Sequence, residues 1–250
     1  MLWPQPVLEE GAGRRLDGHL HLVCDADERG QTRLCRQSFS APIHLSKPHR
    51  DGDTLIVNVA NPTAGFFAGD RLTVDVSVER GARLLLTAPG ANRVHAMDGD
   101  GGAFVRQRFR VAAGGSLETW PELLIPQAGS RFWQQTVIEL EEGAELLFFE
   151  KLAPGRTAMG EVFAFADLRL DTDLSLDARL LLRERTHLWP GNPGLEALIR
   201  RFPTAYYASA LLISPGLAPA AACWQKLHEQ QDDQTWLGVS AFAKNAFVLR

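Results

Sequence analysis

The chain has 250 residues, a formal net charge of -4 and a sequence pI of about 6.0, with acidic and basic residues interspersed. That length suffices for one large β domain or two smaller ones, each with a buried core. The absence of a basic stripe argues against nucleic acid as a partner, and no apolar run approaches the ~20 residues of a membrane span.

Residues 1–13 read as a loose arm. Leu16 to Cys24 alternates, with Leu16, Gly18, Leu20 and Leu22 on one face and Asp17, His19 and His21 on the other, which predicts a half-buried strand. A polar turn over Asp25 to Gly30 leads to short strands at Gln31 to Phe39 and Ile43 to Leu45, cut by Pro42 and Pro48. Leu55 to Val59 is a β-branched run, broken by Asn61-Pro62 and Gly65.

From Ala64 to Glu161 one pattern is written three times: Val78-Glu79-Arg80-Gly81-Ala82-Arg83-Leu84, Val111-Ala112-Ala113-Gly114-Gly115-Ser116-Leu117 and Leu140-Glu141-Glu142-Gly143-Ala144-Glu145-Leu146. Each follows alternating apolar residues, and each central glycine offers the positive φ of a tight turn. Each copy is therefore a strand, a turn and a strand. Recurrence at about 30 residues favours stacked repeats, although three hairpins in a larger antiparallel fold would leave the same trace.

The β pattern continues through Val162, Phe163, Phe165, Leu168 and Leu170, and a strand is expected at Leu180 to Arg185. Asn192 then caps a helix with Pro193 at its first position and Leu195, Leu198, Ile199 and Phe202 at helical spacing. Tyr206 to Ile213 reads as strand. Ala220, Cys223, Trp224 and Leu227 give a second short helix, and Val239 to Arg250 returns to strand. The sequence stops within that strand, which leads us to expect that more chain normally follows. The reading is one all-β domain over 1–250: a β-helix-like stack of sheets built from strand-turn-strand repeats, with two short helices inserted near its C-terminal part.

Cys24, Cys35 and Cys223 are odd in number and widely spaced, without a CxxC. This points to a reducing compartment and away from a disulfide framework or structural zinc. With no leader-like start, a cytoplasmic location is the expectation. His19-x-His21 has metal-ligand spacing, but no cysteine or carboxylate accompanies it in register, so a solvated strand face is the simpler reading. Gly99 to Gly102 reads as a turn. No phosphate loop, GxSxG or HExxH occurs.

The informative polar residues are carboxylates on apolar elements: Glu118, Glu122, Glu150 and Glu161. A buried carboxylate needs a cation, a donor or water. Arg156 is a candidate partner for Glu150 or Glu161, which would make an internal ion pair. The alternative is a polar path inside the β scaffold, visited by a cation such as Ni2+.

Taken together, four segments resemble the urease accessory protein UreD (UreH) family. They are Ala64-Gly65-Phe66-Phe67-Ala68-Gly69-Asp70-Arg71-Leu72; Thr87-Ala88-Pro89 with Arg93-Val94; Leu117-Glu118-Thr119-Trp120-Pro121-Glu122 with Ile125-Pro126; and Glu150 with Gly155-Arg156 and Gly160-Glu161-Val162-Phe163. Ala64 and Ala68 stand where the family has glycine, and Arg93 where it has lysine. The resemblance implies a non-enzymatic scaffold that bridges apo-urease to accessory protein F, which in turn holds the GTPase accessory protein G. It implies no tightly bound cofactor, with Ni2+ in transit. The matching path positions are Thr87, Glu122 and Glu161, with Glu118, Glu150 and Arg156 beside them. Gly65, Gly69, Asp70, Arg71, Gly155 and Gly160 match as structural motif residues. The family's C-terminal helical segment has no counterpart after Arg250.

A β-helical carbohydrate-active lyase or hydrolase is the alternative. It would need two acids in a cleft with aromatic platforms, for which Trp120, Trp133 and Trp189 are the candidates. A cupin-like metal enzyme would need a histidine cluster that the sequence does not show.

Overall fold

The computed structural model describes residues 15–203, 206–216 and 221–250, with the side chains of 221–224 left undescribed. The expected arm at 1–13 lies outside the described residues. Five strands precede the repeats: β1 (Asp17–Ala26), β2 (Thr32–Phe39), β3 (His44–Leu45), β4 (His49–Asp51) and β5 (Thr54–Ala60). The repeats supply β6 (Arg71–Val78), β7 (Arg83–Thr87), β8 (Ala91–Val94), β9 (Ala103–Val111), β10 (Ser116–Trp120), β11 (Leu123–Pro126), β12 (Arg131–Leu140) and β13 (Glu145–Leu152). The remainder is β14 (Asp167–Leu176), β15 (Arg179–Leu188), α1 (Pro193–Arg201), β16 (Tyr207–Ile213), α2 (Ala221–His228), β17 (Val239–Ala243) and β18 (Ala246–Leu249).

The two strands of each repeat do not pair with each other. They lie in different sheets, and each pairs in parallel with its equivalent in the next repeat: β6 with β9 and β9 with β12 in one sheet, β7 with β10 and β10 with β13 in the other. The turns between them stack as a ladder. Glu79 N–H donates to Cys24 O (2.8 Å), Ala112 to Val78 O (2.9 Å), Glu141 to Val111 O (3.0 Å) and Asp177 to Leu140 O (2.9 Å). Gly81, Gly114 and Gly143 take φ of 73°, 72° and 86° at the third position of these turns, which an L side chain adopts only with strain.

The β-helix-like stack of strand-turn-strand repeats therefore needs correction. The molecule is a two-sheet β-solenoid, and only its centre is a parallel stack. Antiparallel strands flank it: β1 with β2 and β14 with β15 in the seven-stranded sheet, and β13 with β16, β16 with β18 and β3 with β5 in the other. The first two repeats keep the expected spacing of about 30 residues but each contain a third strand, β8 or β11, and these two pair in parallel. Those short segments lack alternation, so periodicity does not reveal them. The helices are present but sit outside the stack, in the connections that join the flanking strands. Asn192 caps α1 as expected, accepting from Leu195 N–H at 3.0 Å.

Two further corrections are local. Val162 to Phe165 is not strand: Phe163 takes φ of 50°, and Phe163 and Phe165 turn inward as plugs, 5 % and 0 % exposed. Val239 to Arg250 is a hairpin rather than one strand, turning at Asn245 with φ of 57°.

The inner faces of the two sheets meet in a core that includes Leu22, Val76, Leu84, Leu117, Phe132, Ile138 and Leu146. The outer face of the seven-stranded sheet is charged, with cross-strand pairs such as Arg108–Glu139 (2.8 Å), Arg183–Asp173 (3.0 Å) and Arg110–Asp75. The segment entering β6 is fixed from inside. Asp70 is 2 % exposed, and its carboxylate accepts from Leu16 N–H (3.0 Å) and Phe67 N–H (2.8 Å). At Gly65, with φ of 127°, an added Cβ would stand 2.2 Å from Arg93 O. Phe66 thus reaches the interior, held by its N–H on Arg93 O at 2.8 Å.

Candidate functional site: a polar cavity between the sheets

A cavity of about 180 Å³ opens between the two sheets. Aliphatic and aromatic residues form most of its wall, including Phe66, Phe109, Phe132 and Phe148. Its polar groups come from both sheets and from the connections between their strands, and include Thr87, Thr119, Glu122, Gln134, Glu150, Lys151 and Tyr207.

Strand register explains how these groups arrive there. Inner positions of β13 run Leu146, Phe148, Glu150, Leu152, so the acid takes a place that periodicity reserves for a core side chain. Inner positions of β12 run Phe132, Gln134, Thr136, Ile138, and those of β9 run Val105, Gln107, Phe109. Gln134 Nε2 donates to Glu150 Oε1 at 2.9 Å. Deeper in, Thr136, fully buried, donates to Gln107 Oε1 at 3.2 Å. Thr87 donates to Asn58 Oδ1 at 2.7 Å.

Glu150 retains some accessible surface, yet its carboxylate is enclosed by protein. Burial pushes its pKa up to about 7, and the Gln134 hydrogen bond only partly offsets that rise. Burial also raises the Glu122 carboxyl, against the backbone N–H of Asn61 and the Lys151 charge, which lower it. The Tyr207 phenol is raised, first by burial and also by the charge of Glu150, with a hydrogen bond to Ser209 acting the other way. Carboxylate, amide and hydroxyl oxygens thus converge on one space. No group of three or more His, Cys, Asp or Glu able to hold a metal occurs among the described residues.

The structure brings together Thr87, Glu122 and Glu150 from the sequence-derived set. It places the others elsewhere. Glu118 is exposed on the outer face of β10. Arg156 and Glu161 pair with each other in the loop after β13, outside the cavity lining. That loop is self-contained. Glu161 Oε2 accepts from Arg156 Nε (2.8 Å) and from Ala128 N–H (3.0 Å), and its Oε1 accepts from Arg156 Nη2. The arginine bond holds the Glu161 carboxyl below the usual carboxylate range, despite a smaller opposing effect of burial. Gly155, with φ of 137°, would place a Cβ 2.8 Å from Glu161 O, and Gly160 ends a short 3-10 turn with φ of 76°. Met159 stands at the tip, 71 % exposed. Glu161→Gln should therefore loosen residues 154–163 while the sheets stay intact. Limited proteolysis should cut the variant faster near Met159; an unchanged cleavage pattern would show that the pair does not hold the loop.

Sequence reading missed Gln107, Thr119, Gln134 and Tyr207. The available signal was polar residues at inward positions of otherwise alternating strands, as in Phe132-x-Gln134-x-Thr136.

A family model described as UreD urease accessory protein matches residues 16–250. The chain belongs to that family. A urease accessory protein UreD of Opitutus terrae is 44 % identical over 239 residues, covering 93 % of this chain and 86 % of that protein. One of Herpetosiphon aurantiacus is 32 % identical over 246 residues, covering 94 % and 85 %. Another, of Deinococcus radiodurans, is 37 % identical over 163 residues, covering 65 % and 59 %. The matched span includes both sheets and every cavity residue named above.

Proposed function

We propose that this protein is a non-enzymatic accessory factor for urease maturation, a scaffold that bridges apo-urease to accessory protein F and, through F, to the GTPase accessory protein G. On this reading Ni2+ is cargo and passes through the interior cavity. Family membership supports the urease connection. The observation that carries the path is the convergence of Glu122 and Glu150 on a cavity between the sheets, with Gln134, Thr87 and Tyr207 beside them.

The donor set suits passage better than storage. Oxygen ligands without thiolate or imidazole bind Ni2+ weakly, so an ion that enters also leaves. A carboxyl whose pKa lies at about 7 is part protonated at neutral pH. An arriving cation displaces that proton to water, and the carboxylate takes a proton back from water when the cation leaves, so the site avoids an unpaired charge. Glu118, Arg156 and Glu161 have no part in this path: the first faces outward, and the other two satisfy each other.

The carbohydrate-active alternative finds less support. Glu122 and Glu150 share a cavity, but of the aromatic platforms it needs only Trp120 borders that cavity. Trp133 lies on the outer face of the seven-stranded sheet, and Trp189 follows β15 against His187, with ring centroids 4.5 Å apart.

The test is Glu122→Gln/Glu150→Gln in cells that produce urease, with nickel content of the purified urease measured beside pull-down of accessory proteins F and G. The expected result is a several-fold fall in nickel with the complex retained. Full nickel loading with the complex intact would rule out the path, and a chain that pulls down neither partner would rule out the scaffold.

A further inference from the structure

We propose that the outer face of the seven-stranded sheet carries an anchor for carboxylates, with Arg71 and Arg106 beside the Phe104 and Trp133 rings, which docks an acidic segment of a partner protein. Strand register builds it. Arg71, Phe104, Trp133 and Arg169 stand side by side on β6, β9, β12 and β14, and Arg106 is the next outward residue along β9. The Phe104 and Trp133 rings lie 4.4 Å apart, with the Arg71 guanidinium 6.0 Å from the first and that of Arg169 5.4 Å from the second. A groove of about 190 Å³ runs between these side chains.

Charge marks this place out from the rest of the face. Arg108, Arg110, Arg183 and Arg185 each reach a carboxylate on a neighbouring strand. Arg71 and Arg106 do not. Among the described residues Arg71 and Arg106 have no ion pair: the Arg71 guanidinium lies by the Phe104 ring, and Arg106 makes a 3.4 Å bond to Gln135. The indole Nε1 of Trp133 is buried and has no acceptor among the described residues. The ring itself is seated closely, since a Cβ at Gly102 would come within 3.0 Å of it. A fixed aromatic platform with unpaired arginines beside it has the composition of a protein-binding hot spot, and guanidinium groups match the planar fork of a carboxylate.

The same geometry disfavours phosphate. The backbone N–H groups of β6, β9 and β12 are spent in the sheet ladders, so among the described residues no nest or helix N-terminus faces the groove. Asp171 lines the groove and Asp17 is in register beside Arg71, which keeps the local charge too low to hold a polyanionic phosphate well. A monovalent side chain on an extended segment fits both the charge and the open face. This surface is on the opposite side of the sheet from the cavity and does not depend on the nickel path.

The test is titration of the full chain with hexaglutamate, followed through the indole N–H resonance of Trp133, which is assigned by its loss in Trp133→Phe. We expect a saturable shift that hexalysine does not produce, and binding weakened at least about tenfold in Arg71→Glu/Arg106→Glu. Should the double variant not fold, Arg106→Gln, at an exposed position, should still weaken binding measurably. An unmoved resonance, equal binding by the folded arginine variants, or tighter binding of pyrophosphate than of hexaglutamate would each overturn the proposal.

Discussion

Asp70→Ala should destabilise the protein by about 2–4 kcal/mol, the cost of leaving two part-buried backbone N–H donors without their charged acceptor. For a chain of this length that corresponds to a fall in melting temperature of roughly 10 °C. The carboxylate joins two distant pieces of backbone, Leu16 at the entry to β1 and Phe67 in the turn before β6. At 2 % exposure, water cannot replace it. Asp70→Asn should cost less, because the amide keeps one acceptor oxygen but presents a donor to the second N–H. Thermal unfolding of the two variants beside the parent chain measures both. A loss below about 1 kcal/mol for the alanine variant would mean that the entry segment finds other acceptors. The neighbouring Phe66 lines the cavity, so damage here should reach the interior as well as the fold.

Much of the fold could be read from period and turn chemistry. The alternation of β1, β6 and β9 and the glycines Gly81, Gly114 and Gly143 located the stacked region and its turns, because one buried face and a positive φ each leave a local trace. Strand partners leave none. Whether Val78 and Leu84 pair with each other or with Val111 and Leu117 depends on the next repeat, which is why stacked repeats and hairpins could not be separated until the parallel ladders were seen. Val162 to Phe165 misled for a related reason: apolar residues plug the interior from a loop as well as from a strand.

The site was legible in part. Glu150 stood out as an acid closing an apolar run, and Glu122 by its place after Trp120-Pro121. Glu161 stood out equally well in sequence, yet it meets Arg156 and Ala128 rather than the cavity. Five residues of separation allowed that pair, but only the turn made by Gly155 and Gly160 brings the two side chains together. Glu118 and Thr119 are sequence neighbours on β10, and the pleat sends one out and the other in.

Glu150→Gln is expected to stabilise the fold above neutral pH and at the same time to impair nickel delivery. Burial pushes the native carboxyl up to about 7, against 4.5 for an unburied glutamate. Below the lower value both states hold the proton and Glu150 carries no penalty. Between the two the unfolded chain releases its proton while the native chain keeps it, so stability falls as pH rises, and it levels off above pH 7. The full span is worth roughly 3 kcal/mol. Glutamine has the same shape, can still accept from Gln134 and never ionises, so the variant should lose this slope. It should match the parent near pH 4 and exceed it by about 2–3 kcal/mol at pH 8, measured by urea unfolding across that range. If the parent shows no excess slope between pH 4.5 and 7 over the variant, Glu150 is better solvated than the geometry indicates. The functional half runs opposite in sign. An amide cannot exchange a proton for a passing cation, so urease matured with the variant should contain less nickel despite the more stable scaffold. A group that served only packing would raise stability and leave nickel loading unchanged. A more stable protein that delivers less metal would tie Glu150 to transit rather than to folding.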